Sequence, residues 1–452
     1  MTTRSAADER SLARFRALVR IPTVSRLDGS QTDLAQFDLF VNTLPELYPA
    51  LHGALEREFV DGHSMLYRWA GSEPDGDPTV LMAHYDVVPA AEEGWTLPPF
   101  AAEIVTGGGA HGGDLLWGRG TLDDKGALVS ILEAVEARVL EGFRPRHDVY
   151  LSFGHNEETT GAGAAAIVDE LERRGIRPAL VLDEGGAVVE GIFPGVAKPS
   201  AVVGVSEKGI TSLTLTVRQQ GGHASTPPRL TATGRLARAI VRLDAKPFPA
   251  RFSPTNLEMI STLGAHATGP LKWVFGNLWL TRPLLLRLFA RLGDETNAMV
   301  RTTQAVTQLG GSQAANALAE RATATVNVRV AVGSSVADAV AHVRSAIGDD
   351  AVQIEVEHPS EPSPVSPTTG PAWNLLARTI EQSFEGVVVT PYIQLGASDS
   401  RHFTRISRHV YRFSPFEMTA EQRGTLHAVN ERIDVDTWLR GVRFYERLLG
   451  AL

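Results

Sequence analysis

Three apolar stretches of this sequence run into charge. "TVLMAHYD" ends in His84 and Asp86, "YLSFGHNEE" in Glu157 and Glu158, and "LVLDEGG" in Asp183 and Glu184. A fourth stretch, the glycine-rich "GRGTLDDKG", sets Asp123 and Asp124 just before a helical pattern, and "GTLHAVNERI" near the C-terminus adds His427. In α/β sheets ligands collect beyond the carboxyl ends of strands, so these segments deliver imidazoles and carboxylates to one rim. Carboxylates concentrated at a partly buried rim are costly unless a cation balances them, and imidazole plus carboxylate without thiolate suits zinc or a similar divalent metal. Taken singly, each motif has a bland explanation: a surface His-x-Asp pair, first-turn acids, a tight turn. Their coincidence at successive strand ends is what favours a metal centre. A nucleotide site is disfavoured, because "GRGTLDDKG" lacks a Gly-Lys-Ser/Thr ending and no Gly-x-Gly-x-x-Gly follows the first strand.

The elements that must carry these residues follow from hydrophobic spacing. Over the first 200 residues, short apolar strands alternate with helical patterns such as "GALVSILEAVEARVLEG", which implies an α/β unit with a mixed sheet covered by helices. From about 205 the pattern becomes strict alternation, as in "SLTLTVRQ" and "ATATVNVRVAV", the mark of strands with one covered and one open face. Helical patterns near 231–244 and 335–347 interleave with these strands, giving a small α+β layer of the β-α-β-β-α-β type. The Pro- and Ser-rich stretch at 358–371 reads as a linker. We therefore expect one unit at 1–204 and 364–452, interrupted by a second unit at 205–363 with an apolar helical insertion near 245–300.

At 452 residues and 43% hydrophobic content, the chain can bury a large core. Its 43 basic and 52 acidic residues give a net charge of −9 without a long basic run, so nucleic acid is not an expected partner. There is no cysteine, which removes disulfides and thiolate sites and leaves His, Asp and Glu as the strong ligands. The first 22 residues mix charges through an amphipathic helical pattern without an apolar signal core, and a cytoplasmic location is the expectation. The stretch "LKWVFGNLWLTRPLLLRLFARL" at 271–292 is interrupted by Lys272, Arg282, Pro283 and Arg287, so no membrane span and no membrane partner are expected. It reads as a helix pair packing on the second unit, with a hydrophobic wall for bulky apolar groups as the functional alternative.

The same motifs, "MAHYDVVP…GW…PPF", "GRGTLDDKG", "GHNEE", "LDEGG", "GGHAS" and "LHAVNE", carry a resemblance along nearly the whole chain. It resembles the di-zinc amidohydrolase and metallopeptidase family of aminoacylase, carboxypeptidase S and succinyl-diaminopimelate desuccinylase. The wording "AHYDVVPA…EEGW" with "GRGTLDDK" is most similar to the carboxypeptidase S and N-fatty-acyl-amino-acid hydrolase branch. The resemblance implies a zinc-exopeptidase-like catalytic domain interrupted by a ferredoxin-like lid and dimerisation domain. It also implies hydrolysis of the amide beside a free carboxylate in a short peptide or N-acyl amino acid.

Carried over residue by residue, the resemblance implies that Asp123 bridges two zinc ions, with cobalt or manganese as substitutes. His84 and Asp183 would complete one site, Glu158 and His427 the other. Asp86 would orient His84, and Glu157 would be the general base. Asp124 and Glu184 would be structural. His223 in "GGHASTPP" would reach the site of a neighbouring copy in a homodimer, Arg329 in "TVNVRVAVG" would grip the substrate carboxylate, and Arg401 in "ASDSRHF" would be a second carboxylate contact. Asn316 occupies the place of a substrate-contacting asparagine, although the usual Val-Ile-Pro after it is missing. The rival reading is a metal-free binding or regulatory module on the same fold, disfavoured because every ligand position and Glu157 are filled by competent residues.

Overall fold

The computed structural model describes residues 4–109, 112–191 and 193–452. Among the described residues ten strands form the main sheet, in the order Glu56–Val60, Ser64–Trp69, Val149–Gly154, Thr79–His84, Leu180–Asp183, Val410–Arg412, Ser200–Glu207, Val188–Val189 and Glu417–Met418, with Val388–Gln394 paired to Ser200–Glu207. Thr79–His84 lies parallel to both Val149–Gly154 and Leu180–Asp183, and Val410–Arg412 is parallel to Leu180–Asp183. Their carboxyl ends therefore share one rim, as the sequence pattern implies.

Helices cover both faces of this sheet. Helix Lys125–Leu140 is apolar nearly all round and buried over its first three turns, because it is enclosed between the sheet and helix Val435–Leu449. Phe15 of helix Ala6–Val19 stacks on Trp438 with ring centroids 4.6 Å apart. On the other face Ile167, Val168 and Leu171 of helix Ala162–Arg173 pack on Val80, Tyr150 and Val181.

A second sheet, four-stranded and antiparallel, has the order Thr303–Gly310, Arg321–Val330, Gly209–Arg218, Gln353–Ser360. With helices Ala232–Asp244 and Val336–Ile347 between its strands, the chain order is β-α-β-β-α-β, a ferredoxin-like layer. Its core is a separate cluster in which Leu213, Leu215, Val326 and Val328 meet Leu236 and Val343 of the two helices. The Pro-rich stretch differs from expectation at its start: strand Gln353–Ser360 runs through Pro359. This strand pairs on one side and is the edge of its sheet, where a missing N–H is tolerated.

The apolar insertion is helical, as Pro254–Gly264, Gly269–Gly276 and Leu278–Leu292, but it does not join the lid core. Met259, Ile260, Phe275 and Leu285 pack instead with Phe193 and with Val388 of the main sheet. No helix of the described residues is long and apolar enough to cross a membrane.

Candidate metal centre

The rim is built from three strand ends and two loops. His84 is the last residue of its fully buried strand, and its backbone N–H donates to Asp124 Oδ2 at 3.3 Å. Asp123 sits in the turn that starts helix Lys125–Leu140. Two arrangements hold that turn. Glu431 Oε1 accepts the backbone N–H groups of Leu122 and Asp123 at 2.8 and 3.2 Å, while its Oε2 accepts from Arg119. Lys125 is buried with its ammonium donating to the carbonyls of Leu18 and Ile21. Glycine at 126 is required by closeness: a Cβ there would lie 2.3 Å from the carbonyl oxygen of Thr121.

The side chains converge in two trios that share Asp123: His84, Asp123 and Glu184 form one, Asp123, Glu158 and His427 the other. His84 Nε2 lies 3.1 Å from Asp123 Oδ1 and 3.4 Å from Glu184 Oε1. His427 Nε2 lies 2.9 Å from Asp123 Oδ2 and 3.1 Å from Glu158 Oε2. Each oxygen of Asp123 thus faces a different imidazole. Ligand atoms bonded at about 2.0–2.1 Å around a tetrahedral zinc stand roughly 3.3 Å apart, so these separations fit a cation in each trio. Glu158 Oε1 is buried with no hydrogen-bond partner, a lone pair left for such an ion. His427 adopts a φ of +58°, an uncommon backbone for a non-glycine residue and one that often marks a functional position.

One expected ligand, Asp183, is placed differently from the other four. Asp183 belongs to neither trio; its Oδ2 accepts the backbone N–H of Ser400 at 3.0 Å, and Glu184, expected to be structural, stands in its place. Asp183 nonetheless lies close enough to His84 and Glu184 for their charges to act on one another.

Asp86 organises the rest. It is fully buried, its Oδ1 lies 3.3 Å from His84 Nδ1, and the same nitrogen is 3.0 Å from the Asp86 carbonyl oxygen. Its two carboxylate oxygens also accept the backbone N–H groups of Glu157 and Glu158 at 3.1 and 3.2 Å, and Ser25 donates to Oδ2 at 2.6 Å. One carboxylate therefore fixes His84, Glu158 and the expected base together.

The electrostatics show a surplus of negative charge. Burial, reinforced by Asp399, Glu184 and Glu158 against the opposing pull of His84, pushes the Glu157 carboxyl well above its usual range. Burial raises Glu184 to about 8, with Asp123 adding to the shift, and raises Asp399 to about 7, with Asp183 adding to it. His84 is pulled the other way. Burial opposes its charge, but Asp123, Asp86 and Glu184 outweigh burial and raise it well above the ordinary value. Cations bound in the trios would supply the missing positive charge.

The residues expected to meet substrate divide into two groups. Arg329 is half-buried with Nε donating to Asn327 at 3.2 Å; burial and then the nearby Arg401 lower its pKa, while Glu207 opposes both. Arg329, Arg401 and Glu207 thus share a neighbourhood. His223 and Asn316 are together elsewhere. His223 is exposed, with Nδ1 2.7 Å from Ser225 Oγ, and the next residue, Ala224, donates its N–H to the carbonyl of Asn316. Among the described residues, neither makes a hydrogen bond to the trios.

Three contributors escaped the sequence analysis: Glu184 as a trio member, Glu431 as the clasp of the Asp123 turn, and Asp399. The Asp399 carboxylate crowds Gly154 and Gly161, where added Cβ atoms would lie 2.8 and 2.5 Å from its oxygens. Glu431 stands inside the quoted "LHAVNE" motif, and Asp399 inside "ASDSRHF", so signals for both existed.

The family described as peptidase family M20/M25/M40 matches residues 80–451. An N-fatty-acyl-amino acid synthase/hydrolase of Xenopus tropicalis is 37% identical over 441 residues, covering 96% of this chain and 84% of its own length. Carboxypeptidase S of Saccharomyces cerevisiae is 31% identical, covering 98% and 84%. Among solved structures, an M20-family metallo-carboxypeptidase of Sulfolobus solfataricus superposes with a TM-score of 0.70 at 16% identity over 97% of this chain and 98% of its own. Human carnosine dipeptidase 1 does so with 0.68 at 15% identity over 98% and 95%. These structures share the fold.

Proposed function

The chain belongs to peptidase family M20/M25/M40, and we propose that it is a two-zinc hydrolase that cleaves the amide next to a free carboxylate in an N-acyl amino acid or short peptide. The observation that carries this reading is the pair of His/carboxylate trios sharing Asp123. His84, Asp123 and Glu184 would hold one ion and Asp123, Glu158 and His427 the other. When bound, zinc supplies a Lewis acid and brings the pKa of water to about 7.

The chain's own residues do the remaining work. Glu157 is not needed for coordination, and its N–H is anchored on Asp86 beside the second trio. It takes the proton of the attacking water as the carbon–oxygen bond forms, then gives it to the amide nitrogen as the carbon–nitrogen bond breaks. Arg329, with Arg401 beside it, suits the substrate carboxylate, which guanidinium binds through paired hydrogen bonds. The working unit would be a homodimer in which the exposed His223 of one copy reaches the site of the other and stabilises the tetrahedral oxyanion.

Reconstitution with zinc, followed by a screen of acyl-amino acids and dipeptides, tests the reading. Turnover is expected for at least one member of those classes, and Glu157→Gln is expected to keep the metal while losing about 10²–10⁴-fold in kcat. A chain that binds no zinc or cobalt under any condition would sink the proposal. The dimer is tested separately by mixing His223→Ala with Glu157→Gln. Activity returns on mixing if the histidine acts across the interface, and does not if it acts within its own chain.

A further inference from the structure

Helices Gly269–Gly276 and Leu278–Leu292 use one side and leave the other bare. The used side is Phe275 and Leu285, buried against the main sheet. On the bare side Trp279 is 82% exposed and Trp273 59%, and Leu280, Leu284 and Leu288 follow at four-residue spacing, which lines them up on one helix face. Arg287 and Arg291, also exposed and four apart, run beside that apolar stripe. Exposed apolar surface of this continuity marks a face that something covers.

Charge identifies the cover. Residues 269–292 contain Lys272, Arg282, Arg287 and Arg291 and no acid, whereas the whole chain carries −9. A second copy docking through the same face would set these four cations against four more. An anionic surface would be complementary. The longer helix, at 15 residues, is about 22 Å long, shorter than the roughly 30 Å hydrocarbon core, so it fits lying in the interfacial plane rather than crossing it. Exposed tryptophans beside leucines and arginines are the composition that such a position favours.

We propose that the outer face of Leu278–Leu292, with Trp273, docks on the surface of an anionic phospholipid bilayer. The absence of a spanning segment leaves this mode of contact open. The segment that follows the docking helix, residues 294–301, is tied to the side of the molecule that carries Arg329 and His427. The buried Lys208 donates to the carbonyls of Ala298 and Arg301 at 3.1 and 2.9 Å, and Arg423 pairs with Glu295 at 3.4 Å, a short way before His427 in the chain. Lys208 in turn lies close enough to Arg329 for their charges to interact. Docking would hold the substrate arginines near a surface in which acyl chains dissolve. The docking claim itself does not rest on the hydrolase reading.

The test is co-sedimentation of the full chain with vesicles of phosphatidylcholine alone or with about one third phosphatidylserine, at low and high salt. Binding is expected for the anionic vesicles, weakened by salt, with a blue shift of tryptophan emission. Arg287→Glu with Arg291→Glu should reduce it by about fivefold or more per position. Trp279→Ala with Leu284→Ser should abolish the blue shift, and thermal melts should show all these variants folded, since the altered side chains are exposed. Glu157→Gln should bind vesicles like the unaltered chain, which separates docking from turnover. No binding to anionic vesicles, equal binding by the folded variants, or self-association through this face in place of vesicle binding would each overturn the proposal.

Discussion

In the main sheet the strands that reach the site are buried along their whole length: every residue of Thr79–His84, Val149–Gly154 and Leu180–Asp183 is inaccessible. In the four-stranded sheet, strand Arg321–Val330 buries alternate residues and leaves Thr325, Asn327 and Arg329 on a partly open face. A strand enclosed on both faces can present polar chemistry only where it ends, so imidazoles and carboxylates gather at a rim whose low dielectric strengthens every charge interaction. A strand with one open face can carry a polar group anywhere along it, and Arg329, the last residue but one of its strand, projects from that face. The first arrangement suits coordination and proton transfer, the second recognition.

The sharpest way to break this contrast is at the rim. Glu184→Ala should lower zinc affinity of one trio by more than about 100-fold, while Asp183→Asn, one residue back on the strand, should cost about 10–100-fold through its support of the Ser400 segment. Metal titration of the two variants checks this, and the reverse order would return the ligand role to Asp183. Next in size is the pair behind the rim. Arg412 is fully buried and its Nε donates to Glu207 at 2.9 Å, where the main sheet hands over to the lid. Arg412→Met should destabilise the chain by about 3–5 kcal/mol because it strands a buried carboxylate, whereas Arg412→Met with Glu207→Leu should cost far less. Chemical denaturation of both variants measures the difference.

On the open face the effects shrink. Arg329→Lys should raise KM about tenfold with kcat little changed, the signature of lost carboxylate binding rather than lost chemistry. Equal losses in both parameters would move Arg329 into the reacting centre. The smallest effect is a pH dependence of the metal-free chain. Burial holds Asp399 and Glu431 at about 7 in the folded state, with Arg119 opposing the shift at Glu431. A carboxyl raised above its unfolded value of about 4 stabilises the fold fully at low pH, and that contribution is lost as pH climbs through the folded value. Melting temperature in chelator should therefore fall from about pH 5 to about pH 7. Added zinc should restore most at the upper end. A flat or rising profile would contradict the charge surplus described above.

Of the residues that the trios bring together, His84 and Glu158 drew notice in the sequence because a polar residue at the end of an apolar run has no packing reason to be there, whereas Asp123 and His427, in loops, were singled out by the family resemblance. The choice between Asp183 and Glu184 was not legible. Both acids are buried near His84, and which of their oxygens stands within ligand reach depends on the backbone and side-chain geometry at the strand end, which local sequence does not encode. The two-layer architecture followed from the change of hydrophobic period near 205. The packing partner of the 271–292 helices did not, since Phe193 and Val388 lie far away along the chain and nothing in the amphipathic pattern names the surface that its inner face meets. Glu431 and Asp399 were hidden for a related reason: a buried acid that clasps backbone N–H groups looks, in one dimension, like any solvated loop acid.

Asp86 has a last implication. Because a single carboxylate aims His84 and anchors both Glu157 and Glu158, the hydrolytic machinery behaves as one casting whose parts cannot be retuned separately. Among the described residues, the arginine-bearing face and the bare helices share no hydrogen bond with that carboxylate, so changes there leave its three attachments intact. Enzyme engineers would do well to begin in the same places.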